Sequence, residues 1–351
     1  MINKHPDDAL GGSEIQCDII SKGLSGLGHD VFYLAVGGKE KYRECLYSII
    51  PVKSEVDSIF RAVSEICPDI VYWRSNRSLA ARAINEIRKF NVPVVFAVSN
   101  RYDLLPSDAF MIYKKKLKAV SDFISLRKQL KSIKTCDAVT VLNPEYKSLS
   151  PVKNTHAVTN AMEDVLVPFS WPRPYCVWIA NLKDLKRPDE YIRLARELSG
   201  MQVDFLMVGR MGAGYEWIKN SDQTPENFFY LGEKAVDEAN GIIESSLFHV
   251  HTCYPEGFGN IFIQAWMYGK PSVSLSFDPG GYIKKYNAGI VAGDDFSSFA
   301  SSVEKLIKEE ETRDVMGKAA RRIYDEHHRP DVLARRVEKV LLDVVMARRS
   351  E

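Results

Sequence analysis

The stretch YPEGFGNIFIQAWMYGKP, residues 254–271, joins a glycine-rich loop to an apolar run that ends at Gly269 and Pro271. A short apolar segment, residues 247–253, precedes the loop. Because Gly and Pro stop helices, this order predicts a strand, a loop and a helix. Gly257 and Gly259 allow the backbone to approach a ligand closely, and the exposed N–H groups at a helix start attract anions.

A carboxylate, Glu256, lies beside this predicted anion site. A carboxylate does not favour phosphate, but it accepts hydrogen bonds from hydroxyl groups. A sugar joined to a diphosphate offers both kinds of group, so the combination is typical of a nucleotide-sugar site. The alternative is an ordinary strand-to-helix turn with a surface glutamate, because a Glu-Gly-x-Gly motif alone has low specificity.

Short apolar runs alternate with helical stretches through most of the chain. This alternation is typical of parallel sheets covered by helices on both faces, so the fold class is α/β. The predicted strands cover residues 30–36, 69–73, 92–99, 138–143, 175–182, 203–209, 228–232, 247–253, 271–276 and 289–293. The predicted helices of the first half cover residues 54–67, 77–90 and 109–134. Three prolines within residues 167–175 indicate a linker between two domains.

The beginning of the chain differs from the usual βα pattern. A helix from Ser13, its predicted N-cap, to about Leu27 follows the turn Gly11-Gly12 and ends at Gly28. A strand normally precedes such a turn, but only ten residues precede it here, and they are largely polar. We therefore predict that the first strand of the N-terminal domain is absent, either naturally or by truncation.

The composition excludes several classes of protein. A chain of 351 residues favours two domains, and a net charge of +1 argues against a dedicated nucleic-acid binder. The six cysteines contain no Cys-x-x-Cys pair, which indicates reduced thiols in a cytoplasmic protein. No apolar run approaches 18 residues, and the polar start is unlike a signal peptide.

Several motifs together resemble one family. Glu256-Gly257-Phe258-Gly259, followed by Gln264-Ala265, resembles the Glu-x7-Glu signature of retaining GT-B glycosyltransferases, specifically glycosyltransferase family 4 (group 1), with glutamine in place of the second glutamate. Further elements resemble the family in the same order over nearly the whole chain. They are GGSEIQCDIISKGLSGLGHDV (11–31), TNAME (159–163), WIANLKDLKRPDEYIRLAREL (178–198) and residues 228–259.

The resemblance implies a GT-B architecture, in which two Rossmann-like domains face an interdomain cleft. It implies an N-terminal acceptor domain at residues 1–168, completed by a C-terminal helix at 331–351, and a donor domain at 169–330. The implied activity is a retaining, hexosyltransferase-type transfer of a sugar from a nucleotide-sugar to a saccharide or lipid-linked acceptor, as in cell-surface polysaccharide biosynthesis. The chain has no Asp-x-Asp motif, so no metal is expected. No cofactor is implied either, because the nucleotide-sugar is a substrate.

The resemblance also implies roles for individual residues. Glu256 would contact the donor sugar, and Lys186 would neutralise the diphosphate leaving group. Asn181 replaces a companion arginine of the family, and Arg187 is the candidate to compensate for it. Gln264 would bind the ribose. The remaining donor-binding candidates act through their backbones and are Gly11, Gly12, Gly257, Phe258, Gly259 and Asn260.

Other interpretations remain open. Many family members carry a histidine near Ser99 and Asn100, and neither residue here is a base at neutral pH. This departure favours a second hypothesis, a catalytically weak homologue that binds a nucleotide-sugar or acts as a partner subunit; a third is a nucleotide-sugar epimerase. The basic stretch 113–134 is either a solvated helix face or a contact with an anionic membrane surface. His249 and His251 are predicted to be core residues rather than a metal site.

Overall fold

The computed structural model describes residues 1–9, 11–74, 77–108, 110, 116–254 and 256–350. The chain divides into two compact units. The first contains residues 1–161 and 329–351, and the second contains residues 162–328. The division falls slightly ahead of the predicted linker at residues 167–175.

The first unit contains a parallel sheet of seven strands in the order β3-β2-β1-β4-β5-β6-β7. The strands are β1 Ile2–Asn3, β2 Phe32–Val36, β3 Ser48–Val52, β4 Val71–Trp73, β5 Val94–Val98, β6 Ala138–Val141 and β7 Thr155–Ala157. The four strands predicted here, now β2, β4, β5 and β6, are confirmed. The sequence analysis missed β3 and β7, which lie at the two edges of the sheet.

The prediction that the first strand is absent is wrong. Ile2 pairs with both Leu34 and Trp73, so β1 lies inside the sheet, between β2 and β4. Two residues are enough because Ile2 pairs with strands on both sides. The buried polar residue Asn3 donates hydrogen bonds to Ser13 Oγ at 3.3 Å and to Cys17 Sγ at 3.4 Å. The prediction that Ser13 is the N-cap of the following helix is wrong, because the helix begins at Gly12. Gly11 is the N-cap and makes no side-chain hydrogen bond.

Within the described residues of the first unit, five helices flank the sheet. They are α1 Gly12–Gly26, α2 Val56–Ile66, α3 Arg77–Arg88, α4 Lys116–Ile133 and, at the end of the chain, α11 Pro330–Arg349. The predicted helix 109–134 is confirmed over α4, whereas residues 109 and 111–115 lie outside the described residues. Apolar residues of α11, including Leu333 and Val337, pack against Ile19 and Ile20 of α1. Among the described helices, none combines the length and hydropathy that a bilayer span requires.

The second unit contains a parallel sheet of six strands in the order β10-β9-β8-β11-β12-β13. The strands are β8 Tyr175–Ile179, β9 Asp204–Val208, β10 Phe228–Tyr230, β11 His249–His251, β12 Ser272–Ser274 and β13 Gly289–Val291. All six predicted strands are confirmed. The helices are α5 Pro188–Glu197, α6 Val236–Glu244, α7 Asn260–Met267, α8 Tyr282–Tyr286, α9 Phe296–Lys308 and α10 Glu310–Ile323.

The strand order of the second sheet reverses between β8 and β11, which are adjacent. The chain runs outward from β8 to β9 and β10, and then from β11 to β12 and β13. Ligands of open α/β sheets bind beyond the carboxyl ends of the strands at such a reversal. The loops that follow β8 and β11 are therefore the expected place for a site, and they contain Lys186 and Glu256.

Candidate functional site

Lys186 and Glu256 meet at the carboxyl end of the second sheet. Lys186 Nζ donates a short hydrogen bond to Glu256 Oε2, and the two side chains are only 27% and 19% exposed. Two hydrogen bonds join the loops that carry them: Thr252 Oγ1 donates to Lys186 O at 2.7 Å, and Tyr254 N donates to Leu185 O at 3.1 Å. The sheet thus holds an ammonium and a carboxylate together at its switch point.

Both members of this pair are charged at neutral pH. Burial alone would lower the pKa of Lys186, but attraction to Glu256 outweighs burial and raises it. Burial alone would raise the pKa of Glu256, but Lys186, with hydrogen bonds from Cys253 and the Gly257 N–H, lowers it. Because the folded-state pKa of Glu256 is lowered, its stabilising contribution is present above its ordinary pKa and is lost as the pH falls through the lowered value.

Arg187 adopts a left-handed backbone conformation, with φ of 47°, and directs its guanidinium towards protein acceptors. Its Nε donates to Thr252 O at 2.6 Å, its Nη1 to Asp294 Oδ1 at 2.6 Å and its Nη2 to Ser276 Oγ at 2.7 Å. Arg187 therefore ties together the loops that follow three strands. Its predicted compensation for Asn181 stays a prediction, and in this structure each of its nitrogens already has a protein partner.

The glycine loop has the conformation that its sequence requires. Gly259 has φ of 77° and is the N-cap of α7. A Cβ at this position would lie 2.9 Å from the Phe262 ring and 3.4 Å from Glu256 Cγ, so a side chain would displace the loop. Gly257 N donates to Glu256 Oε1 at 3.2 Å and thereby orients the carboxylate. Residue 255 of the predicted loop lies outside the described residues.

The Phe258 side chain is part of the core. It is 1% exposed, and its ring centroid lies 5.2 Å from that of His328 and 6.1 Å from that of Tyr282. Any contact between Phe258 and a donor is therefore limited to its backbone. The sequence analysis had named Phe258 and Asn260 as backbone contacts, and Asn260 is the first residue of α7.

The Gln264 side chain is buried and already bonded. It is 9% exposed, and its Nε2 donates to Asn240 Oδ1 at 2.7 Å. Asn240 Nδ2 in turn donates to Val165 O at 2.7 Å. This chain of amides connects α7 through α6 to the segment before β8. The sequence analysis missed Asn240, although a polar residue among the apolar residues of a short helix is a recognisable signal.

A cavity of about 470 Å³ adjoins Asn181. The Asn181 Oδ1 atom accepts a hydrogen bond from Arg210 N at 3.3 Å across the carboxyl ends of β8 and β9. The cavity is lined by Asn181, Leu182, Lys183, Asp184, Arg210, Met211, Gly212, Ala213 and Tyr215. The sequence analysis predicted only a strand here, at residues 203–209. Gly209 and Gly212, where a Cβ would overlap a backbone carbonyl, were the available signal.

The candidates in the first unit lie at strand and helix ends. Gly11 is the N-cap of α1 and accepts a hydrogen bond from Ile15 N at 3.1 Å, and Gly12 is the first residue of that helix. Ser99 N and Asn100 N both donate to Asp103 Oδ2, at 3.2 and 3.1 Å. Asp103, which the sequence analysis did not identify, thus organises the turn after β5.

The two histidines of β11 are buried among core residues. His249 is fully buried, contacts Ser272 Oγ at 3.1 Å, and has its pKa lowered by burial to about 3. The His251 ring packs 4.5 Å from that of Phe262, and burial places its pKa well below the ordinary value. The structure nevertheless brings His251 close to Cys253 and Glu256, a grouping that the sequence analysis did not foresee.

Comparisons with known proteins agree with the fold. Residues 170–323 match the model of the family described as "Glycosyl transferases group 1". No curated protein matches the chain significantly.

Solved structures resemble nearly the whole chain. Sucrose-phosphate synthase from Thermosynechococcus elongatus has a TM-score of 0.81 at 14% identity, with 99% of this chain and 98% of that chain covered. Anabaena Alr3699/HepE, solved in complex with UDP and glucose, has a TM-score of 0.73 at 14% identity, with 97% and 98% covered. WaaG, a glycosyltransferase involved in lipopolysaccharide biosynthesis, has a TM-score of 0.69 at 12% identity, with 97% and 99% covered.

Proposed function

We propose that this chain transfers a sugar from a nucleotide-sugar to an acceptor, with retention at the anomeric carbon. Support comes from the match of residues 170–323 to the group 1 glycosyltransferase model and from the similarity of the fold to solved GT-B structures. The acceptor class that we propose is a saccharide or a lipid-linked saccharide of a cell-surface polysaccharide. The observation that carries the proposal is the partly buried pair of Lys186 and Glu256 at the switch point of the second sheet.

The pair supplies the two groups that this transfer requires. Negative charge develops on the diphosphate when the glycosidic bond breaks, and a preorganised ammonium stabilises that charge. Glu256 is placed to accept hydrogen bonds from sugar hydroxyls. A bound donor therefore divides the pair, since its phosphate takes Lys186 and its sugar takes Glu256.

In this proposal the transfer proceeds without a metal ion. The Lys186 ammonium and the N-terminal end of α7, whose N–H groups carry partial positive charge, act on the leaving group. Ser99 and Asn100 are not bases at neutral pH, so the departing phosphate oxygen accepts the proton of the acceptor hydroxyl. This assignment follows the mechanism that the family resemblance implies.

The donor nucleotide is tested by thermal unfolding with a panel of nucleoside diphosphates and nucleotide-sugars. UDP comes first, because the Anabaena neighbour was solved with UDP and glucose. The cavity beside Asn181 is our candidate for the nucleoside end. A ligand that binds only the folded state stabilises it by about 2.7 kcal/mol at a hundredfold excess over Kd. No stabilisation by any member of the panel would contradict the proposal.

We predict that Gln264→Ala weakens binding of the bare nucleoside diphosphate about tenfold, which corresponds to the loss of one hydrogen bond. Isothermal calorimetry on the ligand that the panel identifies measures this change. Gln223→Ala is the matched control, because Gln223 is an exposed glutamine of the same unit. A loss confined to the intact nucleotide-sugar would assign Gln264 to the sugar instead of the ribose.

Two other functions are compatible with the same fold. One is a catalytically weak homologue or partner subunit. The hydrogen bond from Gln264 to Asn240 favours it, because the side chain expected to bind the ribose already has a protein partner. A nucleotide-sugar epimerase is the third candidate. Donor turnover measured with and without acceptor separates the three functions. A transferase turns over the donor only when the acceptor is present, and an epimerase converts the donor without it. A binding subunit turns over no donor in either case.

We also propose that the protein is cytoplasmic and that α4 lies against the anionic surface of the inner membrane. A lipid-linked acceptor would be found at that surface. Within its described residues, Val120 and Ile124 are 46% and 50% exposed, and Arg127, Lys128 and Lys131 are exposed near them. An apolar and basic face is typical of interfacial helices. Residues 113–115 of the predicted stretch lie outside the described residues.

We expect the protein to sediment with anionic vesicles at low salt and to be released at about 0.5 M NaCl, because salt screens the basic residues. The double variant Val120→Ser/Ile124→Ser should bind severalfold more weakly. Val315→Ser is the control, since Val315 is 53% exposed on another helix. Equal sedimentation of the double variant and the control would refute the contact.

A further inference from the structure

A histidine, a thiol and a carboxylate converge beside Lys186. His251 is the last residue of β11, and Cys253 and Glu256 lie in the loop that follows it. One potential ligand atom from each of the three residues lies within 4.8 Å of the others. Cys253 Sγ contacts Glu256 Oε2 at 3.3 Å, and the side chains of His251 and Cys253 are buried.

We propose that His251, Cys253 and Glu256 form an inhibitory site for Zn²⁺, which displaces Lys186 and thereby prevents the donor from binding. The site itself depends only on these three residues, whereas its inhibitory effect rests on the proposed function. Imidazole nitrogen, thiolate sulfur and carboxylate oxygen are the three ligand types of protein zinc sites, and a water would complete a tetrahedral set. Neighbouring donors in such a set lie about 3.5 Å apart. Cys253 Sγ and Glu256 Oε2, at 3.3 Å, already have this spacing, and the His251 nitrogen needs to approach them by at most about 1.3 Å.

The charges favour an exchange between Lys186 and zinc. In the present structure one ammonium and one carboxylate, beside a neutral thiol, give the cluster a formal charge of zero. When zinc binds, the thiol proton passes to solvent and the ammonium leaves, so one divalent cation faces a thiolate and a carboxylate. The formal charge is again zero, and the exchange therefore adds no net charge to a partly buried site.

A second cluster has the same composition but different surroundings. In the first unit, His5, Asp18 and Cys45 also place ligand atoms within 4.8 Å of one another. Two cations already bind the carboxylate of Asp18, Arg43 at 2.9 Å and Lys22 at 3.1 Å. His5 Nε2 in addition contacts Tyr47 OH at 2.9 Å. Zinc would have to displace two cations there but only one at Glu256, so the second cluster serves as an internal control.

Cobalt(II) reports directly on this geometry, because a thiolate ligand gives it a charge-transfer band and a tetrahedral site gives it intense visible bands. Titration of the wild-type protein with Co²⁺ alone should show both signals at one equivalent, and Zn²⁺ should abolish them. Cys253→Ser should lose the charge-transfer band, and Cys45→Ser should keep it. Absence of the band from the wild-type protein, or its survival in Cys253→Ser, would overturn the site.

Lys186→Met provides a test of the exchange itself. Removing the competing ammonium should lower the Kd for zinc at least tenfold, because a neighbouring cation weakens zinc binding by about 1.4 kcal/mol or more. Competition with a chromophoric chelator measures this Kd. Unchanged or weaker zinc binding in this variant would contradict the displacement of Lys186. Lys318→Ala, an exposed lysine on α10, should leave the zinc affinity unchanged.

These measurements separate the metal site from the proposed function. Zinc and a nucleotide-sugar should compete, so a saturating donor should raise the apparent Kd for zinc severalfold. Cobalt bands in a protein that binds no nucleotide would support the site and refute the proposed function. Nucleotide binding without cobalt bands would refute the site and leave the proposed function standing.

Discussion

Replacing Lys186 with alanine should lower kcat for sugar transfer by about 10²–10³, which corresponds to about 2.7–4 kcal/mol of lost transition-state stabilisation. The expected size is large because the ammonium is partly buried at the sheet switch point and, in the proposed mechanism, neutralises the charge that develops on the leaving diphosphate. Initial rates at saturating donor and acceptor measure the effect on kcat. Lys318→Ala should retain wild-type rates, since Lys318 is exposed on α10.

Loss of activity in Lys186→Ala must be distinguished from damage to the fold. The variant leaves Glu256 without its cation, and a partly buried carboxylate that loses its partner destabilises a protein by about 2–5 kcal/mol. The double variant Lys186→Met/Glu256→Gln removes both charges and should recover most of that stability in urea unfolding. It should remain inactive. Wild-type turnover in Lys186→Ala would reject the assignment of Lys186 to the leaving group.

The second large effect is expected for Gly209→Ala, which should lower the free energy of unfolding by about 3 kcal/mol. Gly209 follows β9 with φ of 151°, a conformation that favours glycine. A Cβ on this residue would overlap Ala180 O and would lie 2.6 Å from the Ala180 carbonyl carbon. Backbone hydrogen bonds, Ala180 N to Val208 O at 3.0 Å and Gly209 N to Gly232 O at 2.9 Å, hold both segments in place.

Urea unfolding followed by tryptophan fluorescence measures this loss, with Gly200→Ala as the control. A Cβ at Gly200 meets no atom within 4 Å, so the control should change stability by no more than about 0.5 kcal/mol. Gly209→Ala should also weaken nucleotide binding, because Asn181, which follows Ala180 in the chain, lines the cavity. Equal unfolding midpoints for the two variants would contradict this prediction. They would mean that the loops after β8 and β9 accommodate a Cβ at residue 209 with little loss of stability.

Much of the fold was predictable because apolar runs in a buried parallel sheet need no tertiary information to be recognised. All six strands of the second unit, and β2, β4, β5 and β6 of the first, lie in such runs. The other three strands, β1, β3 and β7, were missed for different reasons. β1 has only two residues, β3 contains Pro51 at a sheet edge, and β7 has the polar residues Thr155 and His156.

The candidate site was predictable only as a set of positions. The glycine loop and its carboxylate follow from local chemistry, since Gly259 must adopt a positive φ and Glu256 adjoins a helix start. The engagement of Gln264 by Asn240 was not predictable, because an amide chooses among partners that only packing places within reach. The same holds for Arg187, whose three acceptors lie 65, 89 and 107 residues away.

The sequence by itself determined the two α/β units and the residue types of the candidate site, because hydrophobic periodicity and glycine chemistry act over a few residues. Only the tertiary structure decided which of those residues meet. Lys186 and Glu256 are 70 residues apart and become an ion pair because β8 and β11 are neighbours in the sheet. The same pairing places His251 and Cys253 beside them. Contacts of this kind depend on strand order, which no local pattern of residues encodes.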